Sequence, residues 1–358
     1  MTRGMLTRGM LTQGMLTRRQ ALAGAATLGA IAIAPPARAQ KTFTPSPALV
    51  DAARKEGKLI FYGVSFTEVL TETIQAFNKR FPFIRIELTR LPGGQMFTRV
   101  RTEAASGKLV ADLVDHSDRG LMQSIEDLFA DYAPPNAADF LPSAIVSPKL
   151  WPTTTAGWCI SYNTELVKNP PKNWMDLTKA EYGNGMIGQV IAPSGGTTWT
   201  RAMFERQVLA EDYWARQAAT KPRLFPSGAP LADALVRGEV SIAPLVHNIA
   251  FQKKRDGAPI ENFFPPEGIP VTPYAAGIPK TAKNVNAAKL FLDWLLSDEG
   301  QTHLIRDQGN LTSLKIWPAQ PQGLDPAKHK MWIPEFKPFQ ELYKPWLEEW
   351  NKAYGYRQ

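Results

Sequence analysis

The side chains whose types and spacing could do chemistry are four histidines, one cysteine and three loops rich in glycine and hydroxyls. His116, His247, His303 and His329 include no i, i+4 pair and no zinc-site spacing, and the single Cys159 excludes both an intrachain disulfide and a cysteine cluster. No metal and no cofactor is therefore expected. His303 falls in a predicted helix and reads as structural. His116 and His247 each follow a predicted strand, where open α/β sheets place ligands, and an imidazole can add charge near neutral pH. The loops are Gly63-Val64-Ser65-Phe66-Thr67, Pro193-Ser194-Gly195-Gly196-Thr197-Thr198 and Pro226-Ser227-Gly228. Each stands at a predicted helix start, where backbone N–H groups lack partners and the helix dipole is positive, a setting that suits an anion. Capping alone calls for Ser and Thr at such positions. Three such loops after successive strands go beyond capping. The candidate ligand contacts are Ser65, Thr67, Ser194, Gly195, Gly196, Thr197, Ser227, His247 and Asn248, with His116 and Ser117 ranked below them.

Signatures of catalysis are missing from the sequence. It holds no Gly-x-Ser-x-Gly elbow and no P-loop. Gly183-Asn184-Gly185-Met186-Ile187-Gly188 matches the dinucleotide fingerprint, but that mechanism needs a strand before the glycines and a helix after, and here the predicted order is reversed. It reads as a helix-to-strand turn. A secreted hydrolase or transferase is the rival from another class, and would have to use a Ser or Thr beside His116 or His247.

The elements that must hold these loops alternate. Ser46 caps a helix with Pro47 in its first turn and Gly57 at its end. A strand over 58–64 follows, then a helix capped by Ser65 or Thr67 that carries Val69, Leu70, Ile74 and Phe77 at helical spacing. Strands over 84–88 and 111–114 flank a helix over 97–104, completing a βαβαβ series and hence a parallel sheet. A second series has strands over 158–162, 186–192 and 240–246 and helices over 198–210, 231–236 and up to Gly257. Pro-rich passages at 131–152 and 265–273 bracket it. A strand over 274–278, helices over 286–296 and after Ser297, and an aromatic-rich helix over 339–352 complete the chain. It leaves one lobe, builds a second and returns, which makes a cleft.

The 358 residues carry 41 Lys plus Arg and 33 Asp plus Glu, a formal charge of +8. Residues 1–39 hold five arginines and no acid, which leaves 36 basic against 33 acidic residues in the body. That near balance argues against a nucleic-acid partner, which calls for clustered cations. The chain opens on a five-residue near-repeat with methionines at 1, 5, 10 and 15, which reads as an upstream extension. Arg18-Arg19, an uncharged stretch over 21–34 and Ala37-Arg38-Ala39 make a secretory signal peptide cut after Ala39, with a resemblance to a twin-arginine signal. The apolar stretch is too short to span a membrane.

Several segments together carry a family resemblance: residues 49–62 (LVDAARKEGKLIFY), 111–114 (ADLV), 161–164 (SYNT), 234–240 (ALVRGEV), 277–280 (GIPK) and 287–300 (AAKLFLDWLLSDEG). The chain resembles a periplasmic substrate-binding protein of an ABC importer, within the extracellular solute-binding group that includes ferric-iron and 2-aminoethylphosphonate binders. The resemblance implies an α/β, two-lobed periplasmic-binding-protein fold of type II, each lobe a mostly parallel sheet flanked by helices. Two hinge strands, near 158–163 and 271–278, would join the lobes. The expected domains are a leader at 1–39, a first lobe of 40–158 and 272–315, a second lobe of 159–271, and a helical segment of 316–358 packed on the lobes. The expected partners are a small solute and an inner-membrane permease, for a monomer that closes on its ligand, with Tyr274 near the second hinge helping to close the pocket. Iron binders of the group use adjacent tyrosines in the segment that here reads Pro244 to Ile249, and none of the nine tyrosines is adjacent to another. A small organic or phosphorus-containing anion is therefore the expected solute, with ferric iron as the alternative.

Overall fold

The structure, a computed structural model, describes residues 41–321, 323–325, 329–335 and 340–357. The expected leader, 1–39, lies outside them. α1 (Pro47–Glu56) has its predicted ends: the Ser46 hydroxyl accepts from the Leu49 N–H at 3.2 Å and Gly57 stops the helix at φ 64°. β1 (Lys58–Gly63), α2 (Thr67–Arg80), β2 (Arg85–Arg90), α3 (Gly93–Ala105) and β3 (Leu113–His116) follow, and β1 pairs in parallel with both β2 and β3. The βαβαβ series is as read. The cap of α2 is not: Phe66 takes that position with no side-chain bond, because Ser65 turns toward Tyr274 and Thr67 is already the first helical residue.

After the short α4 (Arg119–Ser124), β4 (Trp151–Asn163) runs 13 residues and begins inside the passage read as a Pro-rich boundary. Three consecutive β-branched residues, Thr153 to Thr155, favour extended backbone and outweigh Pro152. Then come β5 (Gly188–Val190), α5 (Gly196–Phe204) continued by a π-helical turn at Glu205–Leu209, α6 (Tyr213–Ala219), β6 (Arg223–Phe225), α7 (Gly228–Val236), β7 (Ile242–Val246) and α8 (His247–Arg255). The chain continues through β8 (Ile260–Phe263), β9 (Ile269–Gly277), α9 (Val285–Leu296), α10 (Asp298–Arg306), β10 (Met331–Trp332) and α11 (Tyr343–Tyr354). A three-residue 3-10 turn precedes Gly183 and β5 follows it, so the Gly-x-Gly-x-x-Gly run is a turn into a strand. None of the helices among the described residues is long and apolar enough to cross a membrane.

The main sheet has the order β2-β1-β3-β9-β4-β7, with β8 on β4 and β10 on β9. β4 and β9 are antiparallel and belong to both ends of it. Trp151 and Pro152 face Ala276 and Ala275 beside β3; the register slips; then Thr155, Ala156 and Gly157 face Pro273, Thr272 and Val271. The rest of β4, from Trp158, pairs with β7 and β8. The crossing between the sheet's two ends is thus at 152–157 against 271–275, and the residues 158–163 expected at the first hinge lie wholly within the second end. Separate cores back the two ends. Phe61, Phe77, Phe291 and Trp294 meet edge-to-face on one side, and Leu231, Leu235, Leu245, Ile249 and Ile260 cluster on the other.

The turn between α9 and α10 leaves no room for a side chain. Ser297 caps α10 by accepting from the Gly300 N–H at 3.2 Å, and a Cβ on Gly300 would strike the Trp294 carbonyl oxygen and come within 2.9 Å of Leu295 Cα. Gly300→Ala should cost about 3 kcal/mol in urea denaturation; an unchanged midpoint would show that this turn yields freely.

Candidate functional site

Segments singled out by sequence come together in pairs, and of the twelve candidate contacts Ser117 is the one on the wall of the cavity described below. Gly196, at the start of α5, lies so close to the β3–α4 loop that a Cβ there would sit 2.9 Å from the Ser117 carbonyl oxygen and 3.1 Å from Asp118 Cα. Only glycine allows that approach. Phe66, heading α2, packs against the second core, and Glu72 of α2 pairs with Arg255 of α8 at 3.2 Å. His247 Nδ1 donates to the Gly309 carbonyl at 2.7 Å, and the Asn248 amide donates to Asn310 Oδ1 at 3.2 Å. The next residue, Leu311, donates its N–H to the Thr155 carbonyl on β4.

Against the crossing strands this seam encloses a small cavity lined by Ser117, Arg119, Thr200, Val271, Thr272 and Pro273, with Pro334 from the C-terminal segment. In this conformation it admits little more than a water molecule. Arg119 is 8% exposed, and one guanidinium nitrogen donates to the Ser143 carbonyl at 2.8 Å. Burial lowers its pKa to about 10, so it stays charged at neutral pH. Its Nε and the Thr272 hydroxyl are buried with no hydrogen-bond partner among the described residues, and so are Asn248 Oδ1 and Asn310 Nδ2. Buried polar atoms are normally paired, so Arg119 Nε and the Thr272 hydroxyl, both on the wall of one cavity, suit a polar guest.

Beside the cavity lies a second polar group. Tyr274 bonds the Ser65 side chain, and burial pushes its pKa up, so it is a neutral phenol. Arg90 Nε donates to the Ser65 carbonyl at 3.1 Å. Asp115 is 4% exposed and accepts from the Thr153 hydroxyl at 2.7 Å; burial raises its pKa to about 7.

The remaining sequence candidates have definite places. His116 Nε2 donates to the Gly93 carbonyl and Nδ1 accepts from the Asp118 N–H, each at 2.9 Å, so the ring joins two loops with both nitrogens engaged. Ser194 Oγ donates to the Pro226 carbonyl at 2.6 Å, which ties the second loop to the one before Ser227; Ser227 heads α7 without a cap bond. The Thr197 carbonyl accepts from Trp158 Nε1 at 3.0 Å, Gly195 turns at φ 152°, and Thr67 is exposed. His247 does not add charge as expected. Packed against Phe264 and 1% exposed, it is held by burial to a pKa of about 4 and is neutral at physiological pH. Sequence reasoning missed Arg90, Asp115, Arg119, Thr153, Thr200 and Thr272. Asp115 and Arg119 flank the His116-Ser117 pair it did find, and Thr272 sits in a passage read as a boundary.

The family model described as bacterial extracellular solute-binding protein matches residues 63–302. An uncharacterized protein of Haemophilus influenzae is 27% identical over 335 residues, 85% of this chain and 92% of that protein. The solved periplasmic binding protein P5PA superposes with a TM-score of 0.67 at 24% identity, covering 83% of this chain and 99% of its own. AfuA from Actinobacillus pleuropneumoniae, solved with exogenous fructose-6-phosphate bound, gives 0.69 at 22% identity, covering 84% of this chain and all of that one. These likenesses establish the two-lobed fold.

Asp115 gives the site a pH signature. An unfolded Asp titrates near 3.9, so the folded state holds the Asp115 proton more tightly, and this contribution to stability is lost as pH rises from about 4 through about 7. His247, depressed to about 4 from an unfolded value near 6.5, acts in the opposite sense. Asp115→Asn removes only the first effect and should gain, relative to wild type, on the order of a few kcal/mol between pH 4 and pH 8 in urea denaturation. A difference from wild type that does not change with pH would contradict the buried titration.

Proposed function

The chain belongs to the bacterial extracellular solute-binding family, and we propose that it is the periplasmic receptor of an ABC importer whose solute is a small organic or phosphorus-containing anion. In this reading residues 1–39 direct export, residues 40–158 with 272–315 form one lobe and 159–271 the other, and a monomer presents the closed form to the membrane permease. The solute sits between the lobes at the crossing of β4 and β9.

The observation that carries the anion is the pairing of Arg119 Nε and the Thr272 hydroxyl, both buried, both without partners among the described residues, and both lining one cavity. A buried cation whose donors are incompletely used is stabilised by an anion, and charge-assisted hydrogen bonds are the stronger kind. The backbone N–H groups at Gly195 and Gly196, at the positive end of α5, add to the same preference. Ferric iron fits less well. Phenolates are the hard ligands it favours, and Tyr274 is the one tyrosine bonded within this loop set among the described residues. Catalysis has no support from the histidines: neither His116 nor His247 bonds a Ser or Thr hydroxyl among the described residues.

Thermal shifts with inorganic phosphate, fructose 6-phosphate, ferric citrate and thiamine test the reading. A phosphate-bearing probe should raise the melting temperature of the wild type, and Arg119→Ala should weaken its binding roughly 10- to 100-fold. Stabilisation by ferric iron, with ferric citrate read against citrate alone, or by thiamine, with none from citrate or either phosphate probe, would overturn the anion.

A further inference from the structure

Beyond the span matched by the family model, which ends at residue 302, the chain returns to the cleft. β10 adds to the start of β9 in parallel, Met331 beside Ile269 and Trp332 beside Pro270, and the Ile269 N–H donates to the Lys330 carbonyl at 2.8 Å. That pairing delivers Pro334 to the wall of the cavity that Arg119 and Thr272 also line. Further on, the Gln340 amide lies 3.4 Å from the Gly120 carbonyl of α4, and the Tyr343 ring meets Trp199 of α5 edge-on at 5.1 Å. Burial raises the pKa of the Tyr343 hydroxyl, and the Asp118 charge at the head of α4 adds to that rise. α11 anchors the segment on α6: Trp346 meets Trp214 at 6.0 Å, Arg206 stacks on both rings, and Trp350 is fully buried.

We propose that this C-terminal segment completes the solute site, with Pro334 as its apolar, specificity-determining wall and with Gln340 and Tyr343 tying the part of the segment beyond it to α4 and α5. Proline suits that role because its ring is rigid and it offers no N–H to the solute. It sets how much room the solute has beyond its anionic group. The segment touches α4 on one side of the cleft and α5 on the other, so hinge opening at 152–157 and 271–275 has to break the Gln340 contact or the Tyr343 contact. The choice of solute probes rests on the anion reading above; the placement of the segment does not.

The test uses the full chain. Gln340 and Tyr343 are both exposed, and α11 keeps its own anchor at Trp350, so the Gln340→Ala/Tyr343→Ala variant retains the core. Hydrogen exchange over 117–124 should speed up at least tenfold in that variant while exchange over α1 stays unchanged. Unchanged exchange over 117–124 overturns the proposal, with or without a solute. Pro334→Ala should shift the ratio of affinities for fructose 6-phosphate and inorganic phosphate at least threefold toward the larger probe, and an unchanged ratio overturns the role of Pro334. Binding of neither probe to the wild type would sink the phosphorus-containing cargo and leave the exchange result to decide on the segment.

Discussion

Everything at the site depends on the pairing of β4 with β9 and on the slip in its register between Pro152 and Thr155. The two strands are the elements shared by both ends of the sheet, so each end can keep its own core and its own helices while the connection between them stays narrow. Pro152, Pro270 and Pro273 lie in or beside the crossing and donate no N–H to the ladder, and an irregular register removes further regular bonds. A sheet is easiest to bend where its ladder is thinnest. The cavity lined by Thr272 and Pro273 lies against that place, together with Ser117 and Arg119 from the start of α4 and Thr200 of α5.

The charge arrangement follows from burial. The body of the chain is almost balanced, with 36 basic and 33 acidic residues, so its overall field offers little attraction to an anion. Selectivity has to be local. Arg119 supplies a positive charge that burial leaves intact at neutral pH, while His247 and Tyr274 are held neutral by the same desolvation. Two acids lie nearby: the Asp118 carboxylate is engaged at the head of α4, where it accepts from the Leu121 N–H, and the raised pKa of Asp115 keeps that group partly protonated near neutrality, which softens its repulsion of an anion. Each of these states is set by how far the group is removed from water.

The sequence makes the alternating α/β order, the caps of α1 and α10 and the loops of the seam legible, because they depend on neighbours within a few residues. Ser65, Ser117 and Gly196 were picked on such local grounds; Ser117 and Gly196 come together in space, and Ser65 meets Tyr274, which was named for its closeness to the expected second hinge. What was hidden is what depends on distant residues. The start of β4 was hidden by Pro152 and the prolines that precede the strand, although Thr153 to Thr155 favour a strand. The imidazole of His247 looked like a chargeable donor because nothing in the sequence shows Phe264 packed on it or Gly309 accepting its proton. Arg119 drew no notice in the sequence, since the residues around its buried guanidinium, Ser143, Thr272 and Pro334, are all far away along the chain.

The central claim is that a small anion, held by Arg119 where the two strands cross, is the cargo. Native mass spectrometry of the protein purified from periplasm addresses it most directly. The account predicts a retained small molecule that carries a net negative charge, leaves intact on denaturation and is lost from the Arg119→Ala protein. A retained metal ion, a retained cation, or a cargo that stays bound to the Arg119→Ala protein would contradict it.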